Sequence, residues 1–491
     1  MCTPILRLSD LHLISCTRLV TFDSFRRGEH QAEAVCPEFR RQAVSLAQSR
    51  TSVGHMAADL QSSKATLYLV YRPRFPGQLG YVNCSDRHQA ADSSVLRLPV
   101  RQSHLPTDVS SRASTRAQLR YSIVTVADAA GPRGSYSLRS MLKYLGAQHV
   151  HDKFFGQRVL VTGGASFIGS HLVELLVEAG ATVTVADDLS SGNLDNLAAV
   201  EGAYQMIRGD LRDSEVADRA CRDQTMVFHL AAAHGGRGYI ETHPVECLNN
   251  MVLDHIVFRS AASSGVARIV YASSACVYPT PLQDSVESTR LLVEDDANFT
   301  EPGKAFADGA YGWAKLVGEL QLEAVHRQFQ LDAVSCRLFT VYGPRENESH
   351  AVVALIAKAL AKLDPYPIWG DGAQTRNFTF VKDAVVGMAL AGATLSGFQA
   401  VNVGSDLFTS INELATMIFR YMGWTPEVIE RQTNMPVGVL SRAASTEVLR
   451  RATGWAPTVS LSDGLAETID WYRCQVSGSR LALLSEHLMA R

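Results

Sequence analysis

Tyr311-Gly-Trp-Ala-Lys315 sets a phenol and an ammonium group four residues apart, which on a helix brings both to one face. A phenol with a pKa of about 10 is a poor base at neutral pH, and a neighbouring cation favours the phenolate and draws that value down. Such a pair can exchange the proton of an alcohol while the carbon that bears it is oxidised or reduced; the plainer reading is a Tyr and a Lys on a helix surface. Upstream, Ala272-Ser-Ser-Ala-Cys-Val-Tyr-Pro279 reads as the continuation of a strand whose period of two turns Ser274, Cys276 and Tyr278 to one side. The Ser274 hydroxyl can bond an alcohol or ketone oxygen. Cys276, as a thiolate, can remove a proton from carbon, and otherwise is a small buried residue.

These groups need a scaffold, and its first piece is Arg158 to Ser170, RVLVTGGASFIGS. Val159, Leu160 and Val161 read as a buried strand, Thr162-Gly163-Gly164 ends it, and Phe167, Ile168, Leu172, Leu175 and Leu176 follow at helical spacing. Gly163, Ser166, Phe167, Ile168 and Gly169 then form a strand-turn-helix cradle. Its backbone can approach a phosphate without a Cβ in the way, and the free N–H groups of the helix's first turn face the anion. A dinucleotide pyrophosphate suits that geometry. The next strand ends in Asp187-Asp188, 24 positions after Gly163. A carboxylate at Asp187 can accept hydrogen bonds from both adenosine ribose hydroxyls and would repel a 2′-phosphate. The expected cofactor is therefore NAD rather than NADP, the alternative being that the two aspartates only cap the next turn.

Strands are expected at 158–162, 181–186, 204–208, 226–230, 268–273 and 332–338 with helices between them, the order that builds an α/β doubly wound parallel sheet, a Rossmann fold. The third strand runs into Gly209-Asp210-Leu211 and the fourth into His229-Leu230-Ala231-Ala232. Asp210, Leu211 and Ala231 are thus expected beyond the carboxyl ends of the strands, where ligands of such sheets bind. After Val341-Tyr342-Gly343-Pro344 the alternation loosens into a helix at about 351–362, the segment Asn377 to Val381, a helix from Asp383, a strand at 400–403 and a closing helix near Leu461 to Tyr472. The expected organisation is an N-terminal extension over 1–150, a NAD-binding domain over 151–343, a smaller substrate-binding domain over 344–475 with segments returning to the first, and a tail over 476–491.

Charge separates the extension from the rest. Residues 1–150 carry 19 Lys and Arg against 10 Asp and Glu, leaving 27 against 39 for residues 151–491 within a formal net charge of −3. Arg- and Ser-rich, without a motif, and with only 65–71 and 121–126 resembling strands, 1–150 is expected to be largely disordered, or to precede a natural start such as Met141. Neither part carries a basic stripe or a reader module, so no nucleic-acid partner is expected. No apolar run reaches the ~18 residues of a membrane span. The nine cysteines include no Cys-x-x-Cys pair, which suggests neither zinc nor a disulfide framework and suits a reducing cytoplasm.

From about Phe155 to Tyr472 the sequence resembles the extended short-chain dehydrogenase/reductases, the NAD-dependent epimerase/dehydratase family that acts on nucleotide sugars. Its GDP-mannose 3,5-epimerases are the most similar branch and its GDP-fucose synthases the next. YASSACVYP, AYGWAK, VYGPRENESH and WGDGAQTRNFTF carry the likeness. The resemblance implies that Ser274, Tyr311 and Lys315 serve the redox step, that Cys276 is the epimerisation base and that His350 supplies the opposing proton, an imidazole being able to do so near neutral pH. It also implies that Gly235, Gly236, Lys358, Gln374, Thr375, Arg376 and Arg442 contact the nucleotide sugar, a bidentate Arg being well suited to a diphosphate. Two homologous chains would pair through a helix pair, with the apolar residues from Trp313 to Leu322 at the seam. Two departures stand out. Ser166 replaces the middle glycine of the family turn and is expected to crowd the pyrophosphate, and Thr340 stands where the 3,5-epimerases have an asparagine. The expected activity is 3,5-epimerisation of a GDP-sugar through a transient 4-ketone. The alternatives are a UDP- or dTDP-sugar 4-epimerase or 4,6-dehydratase, or a silent NAD-binding regulator.

Overall fold

A computed structural model describes residues 11–15, 18–21, 68–71, 80–83, 145–347 and 349–475. The chain divides into two compact units, Met1–Arg139 and Ser140–Arg491. In the first, strands Leu11–Ser15, Arg18–Thr21, Tyr68–Tyr71 and Gly80–Asn83 form an antiparallel sheet. Three of these strands fall where no strand is expected from the sequence. The segment 121–126 and most of the stretch expected to be disordered lie outside the described residues.

The second unit opens with helix α1, Leu145–Phe154, which crosses the boundary expected at 150. Val150 and Phe154 are fully buried in the main core, so this helix belongs to the second unit. Strands β1 (Arg158–Thr162), β2 (Thr182–Asp187), β3 (Tyr204–Arg208), β4 (Met226–His229), β5 (Arg268–Ser274), β6 (Asp332–Leu338) and β7 (Phe398–Val403) form one sheet in the order β7-β6-β5-β4-β1-β2-β3. All neighbours are parallel. The strand order reverses between β1 and β4, which opens a crevice at their carboxyl ends.

Continuous apolar runs build these strands because helices cover both faces. In β1, Val159 and Val161 enter the core under α2 (Phe167–Glu178) and α7 (Val381–Thr394). Leu160 enters the core on the other face under α3 (Ser214–Cys221), α4 (Asn250–Ser263) and α5 (Gly309–Phe329). Each of the three side chains is 0% exposed, and burying each contributes about 1.5–3 kcal/mol. A separate core joins α6 (Ala351–Leu360), α8 (Ile411–Met422) and α9 (Leu461–Gln475) through Val353, Ile356, Tyr366, Leu414, Ile418 and Ile469. Beside it, Thr375–Arg376 pairs with Thr409–Ser410 on one side and Ser441–Arg442 on the other. Among the described residues, no helix is long and apolar enough to cross a membrane.

Candidate active site

The turn after β1 shows why glycine is required there. Gly163 has φ +66°, and a Cβ on it would lie 2.9 Å from the Ala231 amide nitrogen. The turn is thereby pressed against the end of β4. Gly169 packs so closely on the Gly163 carbonyl that no side chain fits between helix and turn. Ser166 is accommodated without strain: its backbone is extended (φ −87°, ψ −175°), and its hydroxyl donates back to the Gly163 carbonyl at 2.6 Å. The hydroxyl that was expected to crowd a pyrophosphate is folded onto its own turn, and no side chain caps the first turn of α2.

A cleft of about 970 Å³ runs from this turn over Asp187, Asp210, Leu211 and Ala231. Asp187 accepts from the Ala165 and Leu189 amides, each at 2.9 Å, and Asp188 accepts from Ser190. The capping role weighed from the sequence is therefore real, and Asp187 combines it with a place in the cleft. Burial raises the Asp187 carboxyl above the ordinary value, against the two amide bonds. Both oxygens of the neighbouring Asp210 are held by Arg212. A glycine turn that a Cβ would block, an uncapped helix start and a carboxylate at the end of β2 fit a dinucleotide.

An adjoining cavity of about 390 Å³ is lined by Ser274, Cys276, Tyr311, Lys315 and His350 together with Phe167, Ile168 and Gly169. The strand period does not extend as far as expected. β5 stops at Ser274, whose hydroxyl accepts from the Cys276 amide at 3.2 Å and starts a 3-10 turn over Ala275–Val277. That turn rotates Tyr278 out of register into the core, where its hydroxyl donates to Asn402 at 2.6 Å, while Ser274 and Cys276 face the cavity. Helix α5 is drawn against this turn by the Asp308 amide, which bonds the Cys276 carbonyl at 2.8 Å. Gly312 gives the clearance, since any Cβ would strike that same carbonyl.

Tyr311 and Lys315 share the expected face, but the ammonium sits nearer another ring: Nζ is 4.6 Å from the centre of Tyr271 and 5.9 Å from that of Tyr311. Burial, then the Cys276 thiol, push the Tyr311 phenol far above its ordinary range, and a bond from Ser274 opposes them. Burial pulls Lys315 down. In the protein itself both groups are thus held toward their neutral forms.

The pairing register sets Arg376 opposite Arg442 and Thr375 opposite Ser441. Alternation then sends the two pairs to opposite sides: Arg376 and Arg442 line the cavity, while Thr375 turns away and donates to Ser441 at 3.0 Å. Thr375 is the one expected substrate contact that does not face the cavity. Arg442 reaches Cys276 Sγ at 3.5 Å and Asp308 at 3.1 Å. Gln374, Lys358, Gly235 and Gly236 are also in the lining, as is Thr340. Lys358 donates to the Pro367 carbonyl at 3.0 Å, and burial lowers it to about 8.

His350 differs from the sequence expectation in its charge. Burial, then the neighbouring His234, hold it down at about 3, which makes it a neutral imidazole at pH 7. Its Nδ1 lies 3.4 Å from Glu346 Oε1, and burial keeps that carboxyl well above its ordinary value. Glu346 Oε2 is buried without a partner. His234 meets His350 edge to face at 6.0 Å.

The profile of the NAD dependent epimerase/dehydratase family matches residues 159–404. The chain belongs to that family. Family members of two activities are equally similar to it. GDP-mannose 3,5-epimerase 1 of Oryza sativa subsp. indica is 32% identical over 325 residues, covering 65% of this chain and 82% of that protein. The UDP-glucose 4-epimerase of Mycolicibacterium smegmatis is also 32% identical, over 322 residues, covering 64% and 98%. Among solved structures, the dTDP-glucose 4,6-dehydratase DesIV of Streptomyces venezuelae with NAD bound superposes with a TM-score of 0.59 at 27% identity, covering 65% of this chain and 97% of that one. The seven-stranded parallel sheet is the fold that such epimerases and dehydratases share, and the chain is an enzyme of this group.

Around this cavity, sequence reasoning missed His234 and Arg237 in its lining and Glu346 behind His350. His234 adjoins the Gly235-Gly236 pair and Glu346 lies four positions before His350, so both carry a local signal. Arg237, which donates to Asp308 at 2.9 Å, shows its place only in three dimensions.

Proposed function

We propose that the chain epimerises a GDP-sugar at C3 or C5 by way of a 4-ketone. The observation that supports this best is one cavity holding Ser274, Cys276, Tyr311, Lys315 and His350 beside Gln374, Arg376 and Arg442. NAD, held by the turn at Gly163 to Gly169, by Asp187 and by the Asp210, Leu211 and Ala231 wall, would supply hydride acceptance and return at C4. Tyr311 takes the C4 hydroxyl proton, with Ser274 bonding the same oxygen and Lys315 stabilising the phenolate. The ketone then acidifies the neighbouring C–H bonds. Cys276, with the Arg442 guanidinium at 3.5 Å to balance a thiolate, removes the proton from one face. From the other face His350 returns one, drawing it through Nδ1 from the carboxyl of Glu346. Arg376 and Arg442 face each other in register, an arrangement of like charges that costs stability and that a diphosphate would neutralise.

A pair of such chains and a reducing cytoplasm belong to the same proposal. Trp313 and Leu320, one face of α5 at spacing seven, are 38% and 39% exposed, and Val252 on α4 is 51% exposed. An apolar face of this kind suits a second copy. Cys221, Cys247, Cys276, Cys336 and Cys474 are all free thiols.

The test is incubation with GDP-, UDP- and dTDP-sugars in heavy water, with deuterium located by NMR. Label at C3 or C5 of a GDP-sugar, lost in Cys276→Ser and in Tyr311→Phe, is the expected result. Inversion at C4 alone, unaffected by Cys276→Ser, would give the 4-epimerase reading instead and leave Cys276 as packing.

A further inference from the structure

Thr162, His229, Asp254 and Tyr271 are each 0% exposed, and none of them lines the cleft or the cavity. Their hydrogens can be assigned one at a time. Thr162 Oγ1 accepts the amides of Leu230 and Ala231, both at 3.1 Å. A hydroxyl has two lone pairs and one hydrogen, so that hydrogen goes to His229 Nδ1 at 2.7 Å. His229 is then a neutral imidazole with its hydrogen on Nε2, which donates to Asp254 Oδ1 at 2.9 Å. Asp254 Oδ2 accepts the Tyr271 hydroxyl at 2.6 Å. Both carboxylate oxygens accept, neither donates, and a full negative charge is left in the core.

A buried carboxylate without a cation costs several kcal/mol. His229 is neutral, and the ring that bonds Asp254 also carries an ammonium on its face: Lys315, 1% exposed, lies 4.6 Å above the centre of Tyr271, whose hydroxyl meets the carboxylate. The other acid near Lys315 is Glu319, already matched by Arg337, whose Nη2 is 2.7 Å away, and bonded by the hydroxyls of Ser273 and Ser335. Tyr271, Tyr311 and His234 are the other titratable groups that face the ammonium among the described residues. We propose that Asp254 is the counter-ion of Lys315, a positioning residue that acts across Tyr271 to keep the buried ammonium charged.

Burial, the dominant influence on Lys315, favours loss of its proton, and Asp254 is the first influence that opposes it. The same chain fixes the amides of Leu230 and Ala231 at the cofactor cleft, so one network holds both the charge and the wall. Its use in catalysis rests on the proposed function, whereas the charge pairing is measured without substrate or cofactor.

The experiment labels lysine Cε with carbon-13 in the full chain and follows the Lys315 signal, assigned by its loss in Lys315→Met, as pH is varied. Asp254→Asn is expected to lower its midpoint by about one unit or more. Tyr271→Phe, which keeps the charge, should leave it within a few tenths. An unchanged midpoint in Asp254→Asn, or an equal drop in Tyr271→Phe, overturns the pairing. Asp254→Thr removes the same charge if the Asn variant does not fold. Nitrogen-15 shifts of His229 in the unaltered protein give an independent check: an imidazolium, which would itself match Asp254, refutes the proposal. A lowered midpoint without turnover of any nucleotide sugar would count against the proposed function and leave the pairing intact.

Discussion

Replacing Glu346 with Gln asks where the second proton of an epimerisation comes from. His350, held at about 3 by burial, would be imidazolium in only about one molecule in 10⁴ at pH 7 if it titrated alone. A neutral imidazole is too weak an acid to protonate a carbanion at a useful rate. In the proposed mechanism Glu346 changes the supply: its carboxyl, raised by burial, lies 3.4 Å from Nδ1 and passes a proton to the ring as charge develops on the sugar. Gln has the same shape but no proton to give, and it replaces an acid whose Oε2 has no partner, so the fold should hold. Deuterium exchange at the carbon served by His350 should fall by about 10²–10⁴-fold, while the 4-ketone, trapped with hydroxylamine, still forms. His350→Asn should lose a similar factor, and the double variant little more, because the two act as one unit. Wild-type exchange rates in Glu346→Gln between pH 6 and 8 would refute the shared proton.

Three further outcomes are expected. Asp187→Asn should weaken NAD binding by about 10- to 100-fold, the worth of hydrogen bonds to a charged acceptor, and narrow the gap to NADP; calorimetric titrations with an unchanged NAD-to-NADP ratio would count against the ribose contact. His171, which burial lowers to about 3, binds a proton only in the unfolded chain between that value and about 6.5. Its contribution is therefore whole above about 6.5 and is lost at about 1.4 kcal/mol per unit as pH falls, so His171→Gln should flatten the urea-midpoint profile below pH 6, and equal slopes would contradict the buried neutral ring. Leu320→Lys should convert a dimer to monomer in sedimentation, whereas a wild-type profile would move the seam away from α5.

The sheet is legible in the sequence because its strands are buried on both faces, and a run such as Val159-Leu160-Val161 has no other simple use. Legibility fails where tertiary contacts override local period. Ser274 accepts the Cys276 amide and closes a 3-10 turn, so alternation that holds through β5 misplaces Tyr278. Helix α1 has little pattern of its own and is fixed by Val150 and Phe154 against the main core, which is why a boundary drawn from charge falls inside it.

The site divides in the same way. Tyr311 and Lys315, or Gly163 and Asp187, work through spacings along one element, and those spacings survive in one dimension. Charge balance does not: Arg442 comes to Cys276 from 166 positions away and to Asp308 from 134, and Asp254 sits mid-helix with nothing beside it in sequence to mark a buried ion. A sequence therefore names the groups that meet the substrate more readily than those that set their protonation. In this chain the second set decides the chemistry, because burial drives Tyr311, Lys315 and His350 all toward neutral forms. The proposed epimerisation would need a phenolate, an ammonium and an imidazolium in turn. The Ser274 bond at Tyr311, Asp254 across Tyr271 from Lys315 and the Glu346 carboxyl beside His350 are the groups placed to counter that tendency.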